Sequence, residues 1–123
     1  MDFSKLLKTA AAFQEARVLL TGVELDLFTL LADNEMDLKQ VCDSLNSDMR
    51  ATQYLLDALA AMELLEKKEG KYRTSPEISP FLSRQGKECI LPMLEHQSHL
   101  WHRWSQLTDI VKGKSITIKP IDQ

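Results

Sequence analysis

Three histidines, His96, His99 and His102, stand at three-residue steps and are the only histidines in the chain. On a helix this spacing places His96 beside His99 and His99 beside His102, so a pair of imidazoles could approach one metal ion. A closed metal site needs further donors. The two cysteines, Cys42 and Cys89, lie far from each other in sequence, and Glu95 is the lone carboxylate adjoining the histidines. No metal ligands are therefore expected. By rotation His96 flanks an apolar stripe, whereas His99 and His102 point largely away from it. Met93, Trp101 and Trp104 belong to that stripe and could wall a pocket for a flat aromatic molecule. Large apolar residues at helical spacing more commonly fill a core.

Other chemistry is thinly supplied. The four glycines, Gly22, Gly70, Gly86 and Gly113, are scattered, which excludes a glycine-rich loop for phosphate or a dinucleotide. No nucleophile has a base at a readable spacing. Neither catalytic nor cofactor-binding residues are expected in this chain. Lys67, Lys68, Lys71 and Arg73 form a basic cluster, and Arg50 and Gln53 lie on the preceding helix. Together, Arg50, Gln53, Lys67, Lys68 and Arg73 would serve a DNA-binding winged-helix regulator. That is the second reading. Against it, the helix positions expected to face outward (Met49, Arg50, Gln53, Asp57 and Glu63) are as acidic as basic, the net charge is -3, and the pI is near 5.6. Base readers need cations and amides backed by phosphate-binding neighbours.

The elements that would position these residues centre on Asp48 to Thr74. Asn46-Ser47-Asp48 caps a helix that buries Leu55, Leu56, Leu59, Ala60 and Met62. The helix leads into a hairpin turning at Lys68-Glu69-Gly70-Lys71, where Gly70 supplies positive φ and Leu65 and Tyr72 share the inner face. Upstream, Asp37 and Gln40 form a capping-box pair that opens a short helix with Leu38, Val41, Cys42 and Leu45. Two helices joined by about three residues and followed by a hairpin predict a winged helix-turn-helix. The fold expected is mostly α with a small β-hairpin wing, extended by long N-terminal and C-terminal helices.

Residues 3 to 20 predict the first helix, with Phe3, Leu6, Leu7, Ala10, Phe13 and Arg17 on one stripe. Its small residues (Ala10, Ala11, Ala12 and Ala16) admit a close neighbour. Its apolar length exceeds what one small core uses, which points to packing against a second copy. Gly22 interrupts the pattern without necessarily ending the helix, and Val23 to Leu31 continue it as a dense apolar segment ending near Ala32. Ser75-Pro76 reads as a helix start, with Ser79-Pro80 competing, and Gly86 breaks that helix. The last helix begins between Cys89 and Pro92, runs to Lys112 and stops at Gly113. Residues 1-113 are expected to form one domain and 114-123 a linker, in which Ile116, Ile118 and Ile121 alternate weakly.

At 123 residues, 44% hydrophobic and 27% charged, the chain suits a single helical domain. It has no apolar run of about 20 residues for a membrane span and no signal layout at Met1-Asp2-Phe3-Ser4-Lys5. Widely spaced cysteines suggest reduced thiols. A cytoplasmic location is expected.

An ordered set of segments resembles one known family: Ala16 to Phe28 (ARVLLTGVELDLF), Leu55 to Leu65 (LLDALAAMELL), Gly70 to Pro76 (GKYRTSP), and Trp104 to Leu107 (WSQL) followed by Gly113. It is similar to the N-terminal dimerisation domain of S-adenosylmethionine-dependent small-molecule O-methyltransferases of the hydroxyindole and caffeic-acid type. The likeness covers the chain to about Lys114. It implies a homodimer with interlocking first helices, with Phe3, Leu6, Leu7, Ala10, Phe13, Leu20 and Phe28 as the expected interface. It also implies that the helix bearing Met93, His96, His99 and Trp104 lies near an acceptor pocket for a small hydroxylated, often aromatic, molecule. The family's Rossmann-like catalytic half, which holds S-adenosylmethionine, would follow Gln123, so this chain alone should bind no cofactor and transfer no methyl group. The resemblance gives no role for membrane or nucleic acid.

Overall fold

A computed structural model describes residues 2–118. Ile121 and the rest of the expected linker beyond Ile118 lie outside the described residues. Helix α1 (Phe3–Glu24) starts where the Asp2 carboxylate accepts the Ser4 N–H at 3.0 Å, an N-cap that satisfies one of the helix's free donors. It passes through Gly22 unbroken. A Cβ on Gly22 would lie 2.8 Å from Phe28 Cε2, so the glycine is there to admit the Phe28 ring. Asp26, at φ 55°, then turns the chain into the short α2 (Leu27–Leu30).

Strand β1 (Met36–Asp37) leads directly into α3 (Leu38–Leu45). The capping box is present: the Asp37 carboxylate accepts the Gln40 N–H at 2.8 Å and the Gln40 side chain accepts the Asp37 N–H at 2.9 Å. Asn46, at φ 52°, ends α3. Asp48 caps α4 (Met49–Ala61) through the Ala51 N–H at 2.9 Å. Strands β2 (Leu65–Lys68) and β3 (Lys71–Thr74) follow, joined by Glu69-Gly70, both at positive φ, the requirement of a tight two-residue turn. The sheet is antiparallel with order β1-β3-β2, and Met36 pairs with Tyr72 while Lys67 faces Tyr72 from the other side.

The core lies between the C-terminal half of α1, α2, α4 and the sheet's inner face. Val23, Phe28, Leu31, Leu56, Leu59 and Tyr72 are among its buried members. Burying each such side chain is worth roughly 1.5–3 kcal/mol. Thr74 ties β3 to α2: its hydroxyl donates to Phe28 O at 2.7 Å and its N–H to Leu31 O at 3.0 Å.

Three boundaries differ from the sequence expectation. Ser75-Pro76 forms a turn, and the competing start at Ser79-Pro80 opens α5 (Ser79–Leu82). The first helix runs on to Glu24, with Gly22 retained inside it where the Phe28 ring packs. The single C-terminal helix divides into α6 (Leu91–Trp104) and α7 (Leu107–Val111) at Ser105-Gln106. Both polar side chains there bond back to the His102 carbonyl, competing with the helical ladder.

Candidate functional site

The two halves of helix α1 differ. In its C-terminal half, Val18, Leu19, Leu20 and Val23 turn into the domain, whereas residues 3–16 are exposed throughout. Phe3 is 73% and Phe13 56% accessible, with Leu6 and Leu7 similar. Among the described residues, none of the core members comes from this half of α1. An exposed set of this size signals an interaction surface.

Two of the residues expected at the interface lie differently from the others. Leu20 is 5% and Phe28 1% exposed, so both are enclosed by their own chain. Leu20 lies two turns beyond Phe13 on nearly the same face but beside Leu94 and Trp101, where α6 covers the C-terminal half of α1, and Phe28 occupies the space over Gly22. Phe3, Leu6, Leu7, Ala10 and Phe13 remain on the surface.

Helix α6 packs against α1, with Leu94, Ser98 and Trp101 on the side toward it, and a polar seam sets the contact. Arg17 donates to Thr21 Oγ1 at 3.0 and 3.2 Å, pairs with Glu24, and lies 5.1 Å from the Trp101 ring centroid. The other Glu24 oxygen accepts the Ser98 hydroxyl at 2.5 Å. A cation over the ring face is attracted to its quadrupole, so Arg17 joins the two helices. The sequence had placed Arg17 on the apolar stripe of α1, and a cation in such a position was the available signal.

Beside this seam runs an apolar groove of about 380 Å³ lined by Ala16, Leu19, Leu20, Leu94, Gln97, Leu100, Trp101 and Trp104. It continues into a hollow of about 290 Å³ bordered by Phe13, Trp101, Trp104 and Ser105. Of the four expected pocket-wall residues only Trp104, 68% exposed, lines this groove. Met93, His96 and His99 face solvent on the outer side of α6 and line neither hollow. His102 is half-buried, with Nε2 unpartnered among the described residues. No three His, Cys, Asp or Glu side chains among the described residues converge to hold a metal ion.

The residues proposed for DNA are largely engaged within the chain. Lys67 pairs with Asp57 at 3.1 Å, Arg73 with Glu66 at 2.7 Å, and Arg50 donates to Tyr54 Oη at 3.2 Å. Lys68 and Gln53 are exposed. The basic strands therefore carry their own counter-charges.

With this geometry, the O-methyltransferase dimerisation domain family matches over residues 7–84. The chain belongs to this family. The dimerisation domain is 41% identical over 109 residues to the tetracenomycin polyketide synthesis 8-O-methyl transferase TcmO of Streptomyces glaucescens, covering 87% of this chain and 32% of TcmO. It is 38% identical over 104 residues to the N,N-dimethyltransferase OxyT of Streptomyces rimosus, covering 84% of this chain and 30% of OxyT. Among solved structures, human N-acetylserotonin methyltransferase in complex with SAM superposes with a TM-score of 0.76 at 26% identity, over 91% of this chain and 35% of that one. The chain spans about a third of the length of the curated relatives it matches. Among the described residues no helix is long and apolar enough to cross a membrane.

Proposed function

We propose that this domain joins two copies of an S-adenosylmethionine-dependent small-molecule methyltransferase through the N-terminal half of α1. The observation that carries the reading is the exposed run of Phe3, Leu6, Leu7, Ala10 and Phe13 on a helix whose other half is buried. A two-fold contact lets one such face cover its own copy, and small residues Ala10 to Ala12 let two helices approach closely. Helices α3 and α4 with the β2–β3 hairpin act as a winged-helix scaffold that fixes the angle of α1, not as a reader of bases.

The groove between α1 and α6, with Trp104 on its rim, supports a contribution of pocket wall for the acceptor. Met93, His96 and His99 would join only if a further part of the protein folded over the outer side of α6. The acceptor is a small molecule methylated at oxygen, with nitrogen the alternative raised by the similarity to OxyT. The residues described do not fit S-adenosylmethionine: the sheet is antiparallel, and no strand, glycine-rich turn and helix occur in succession. The cofactor would be held elsewhere in a full-length enzyme, in the cytoplasm. Sedimentation velocity over a range of concentrations tests the proposal, which expects a two-chain species and is refuted by a single-chain species at all of them.

A further inference from the structure

Within the described part of the linker expected over residues 114–123, Thr117 is hydrogen-bonded back to the domain. Helix α7 ends in a motif that reverses the chain: Gly113, at φ 73°, donates its N–H to Ile110 O at 3.0 Å, and the Lys114 N–H reaches Asp109 O at 2.9 Å. These two bonds occupy the last carbonyls of α7 and leave the chain one direction of exit. Four residues past Gly113, Gln106 binds the returning segment. Its Nε2 donates to Thr117 O at 2.7 Å and to His102 O at 3.0 Å, while its Oε1 accepts the Thr117 N–H at 2.8 Å. Three of the four hydrogen-bonding positions of one carboxamide are thus filled, and both backbone groups of Thr117 are paired as they would be by a neighbouring strand. Ile116, next to this pair, is half-buried.

We propose that Gln106 is a latch that fixes the path of the chain leaving the domain. It joins the last turn of α6, through the His102 carbonyl, to the exit segment at Thr117. Residues 106–117 then form a closed loop that moves as one piece with α6, and the pivot for anything attached beyond lies after Thr117 instead of at Gly113. The consequence for an attached catalytic part rests on the reading given under Proposed function; the latch itself does not.

Amide hydrogen exchange on the intact chain tests it, with Gln106→Ala and Gln106→Glu compared with the wild type. The Thr117 amide should exchange about tenfold or more slowly than its unprotected rate, the scale of one to two net hydrogen bonds. Gln106→Ala should return it to the unprotected rate while the Leu56 and Leu59 amides keep their protection. Gln106→Glu should also lose protection, because a carboxylate oxygen in place of the amide nitrogen would face the carbonyl oxygens of His102 and Thr117 and drive the side chain away from Thr117. Trypsin should cut after Lys114 about tenfold faster in both variants, for the same loss of bonding. An unprotected Thr117 amide in the wild type, or protection that survives Gln106→Ala, overturns the proposal. Sedimentation of the wild type separates the two readings: a single-chain species at all concentrations with Thr117 protected refutes the dimer and leaves the latch intact.

Discussion

The Tyr72 hydroxyl donates to Asp57 Oδ1 across 2.7 Å, and Lys67 Nζ meets the same oxygen at 3.1 Å while lying 5.2 Å from the Tyr72 ring centroid. One carboxylate on α4 therefore holds both strands of the hairpin. Tyr72 is buried, so its hydroxyl must find a partner inside the domain. Replacing Tyr72 by Phe removes that bond and should cost about 1 kcal/mol. Urea unfolding should show the midpoint falling with an unchanged slope.

The same contact makes stability depend on acid. The Tyr72 hydroxyl, and secondarily Lys67, hold the Asp57 carboxyl below its ordinary value of 3.8, with desolvation opposing them. A folded-state value below the unfolded one gives stability that is present above the unfolded value and lost as pH falls through the folded one. Thermal midpoints should therefore drop as pH is lowered below the ordinary carboxylate range. Asp57→Asn should be less stable at neutral pH and show a shallower acid fall, and parallel profiles for the two proteins would remove Asp57 from the account.

Glu63 sits at φ 63° just beyond α4, with its N–H on Ala60 O and the Leu64 N–H on Leu59 O, both at 3.0 Å. This helix ending usually takes glycine. Its left-handed position costs an L-residue roughly 1–2 kcal/mol, partly offset by the greater freedom glycine has when unfolded. Glu63→Gly should stabilise the domain by roughly 0.5–1 kcal/mol, measured by denaturant unfolding.

Gly22→Ala should do the opposite. The added Cβ would meet the Phe28 ring at 2.8 and 3.0 Å, and overpacking of this kind costs typically 1–3 kcal/mol. Phe28 is fully enclosed, so the ring has little room to retreat. A calorimetric scan with an unchanged midpoint would show that α2 can shift away.

Local signals were legible in the sequence and distant ones were not. Asp37 with Gln40, Asp48, and Glu69-Gly70 each specify a cap or turn through neighbours only a few residues away. Strand β1 was hidden because Met36 and Asp37 carry no strand pattern and form one only by pairing with Tyr72 and Lys71. The break between α6 and α7 was masked by apolar spacing that continues through Leu107 and Val111. Leu20 was read with the exposed stripe of α1 because which part of a long helix meets the core is decided by elements far along the chain. For the same reason, periodicity grouped Met93 with Trp101, although α1 covers only the side bearing Leu94 and Trp101.

The central claim is that two copies meet through the N-terminal half of α1. Its most direct test is sedimentation equilibrium of the wild type beside the double substitution Leu7→Glu with Phe13→Glu, two residues exposed in the single chain. The wild type should sediment at twice the 14.1 kDa of one chain and the variant at that of one, with its core still folded by circular dichroism. A folded variant that remains paired, or a wild type that never pairs, would contradict the account.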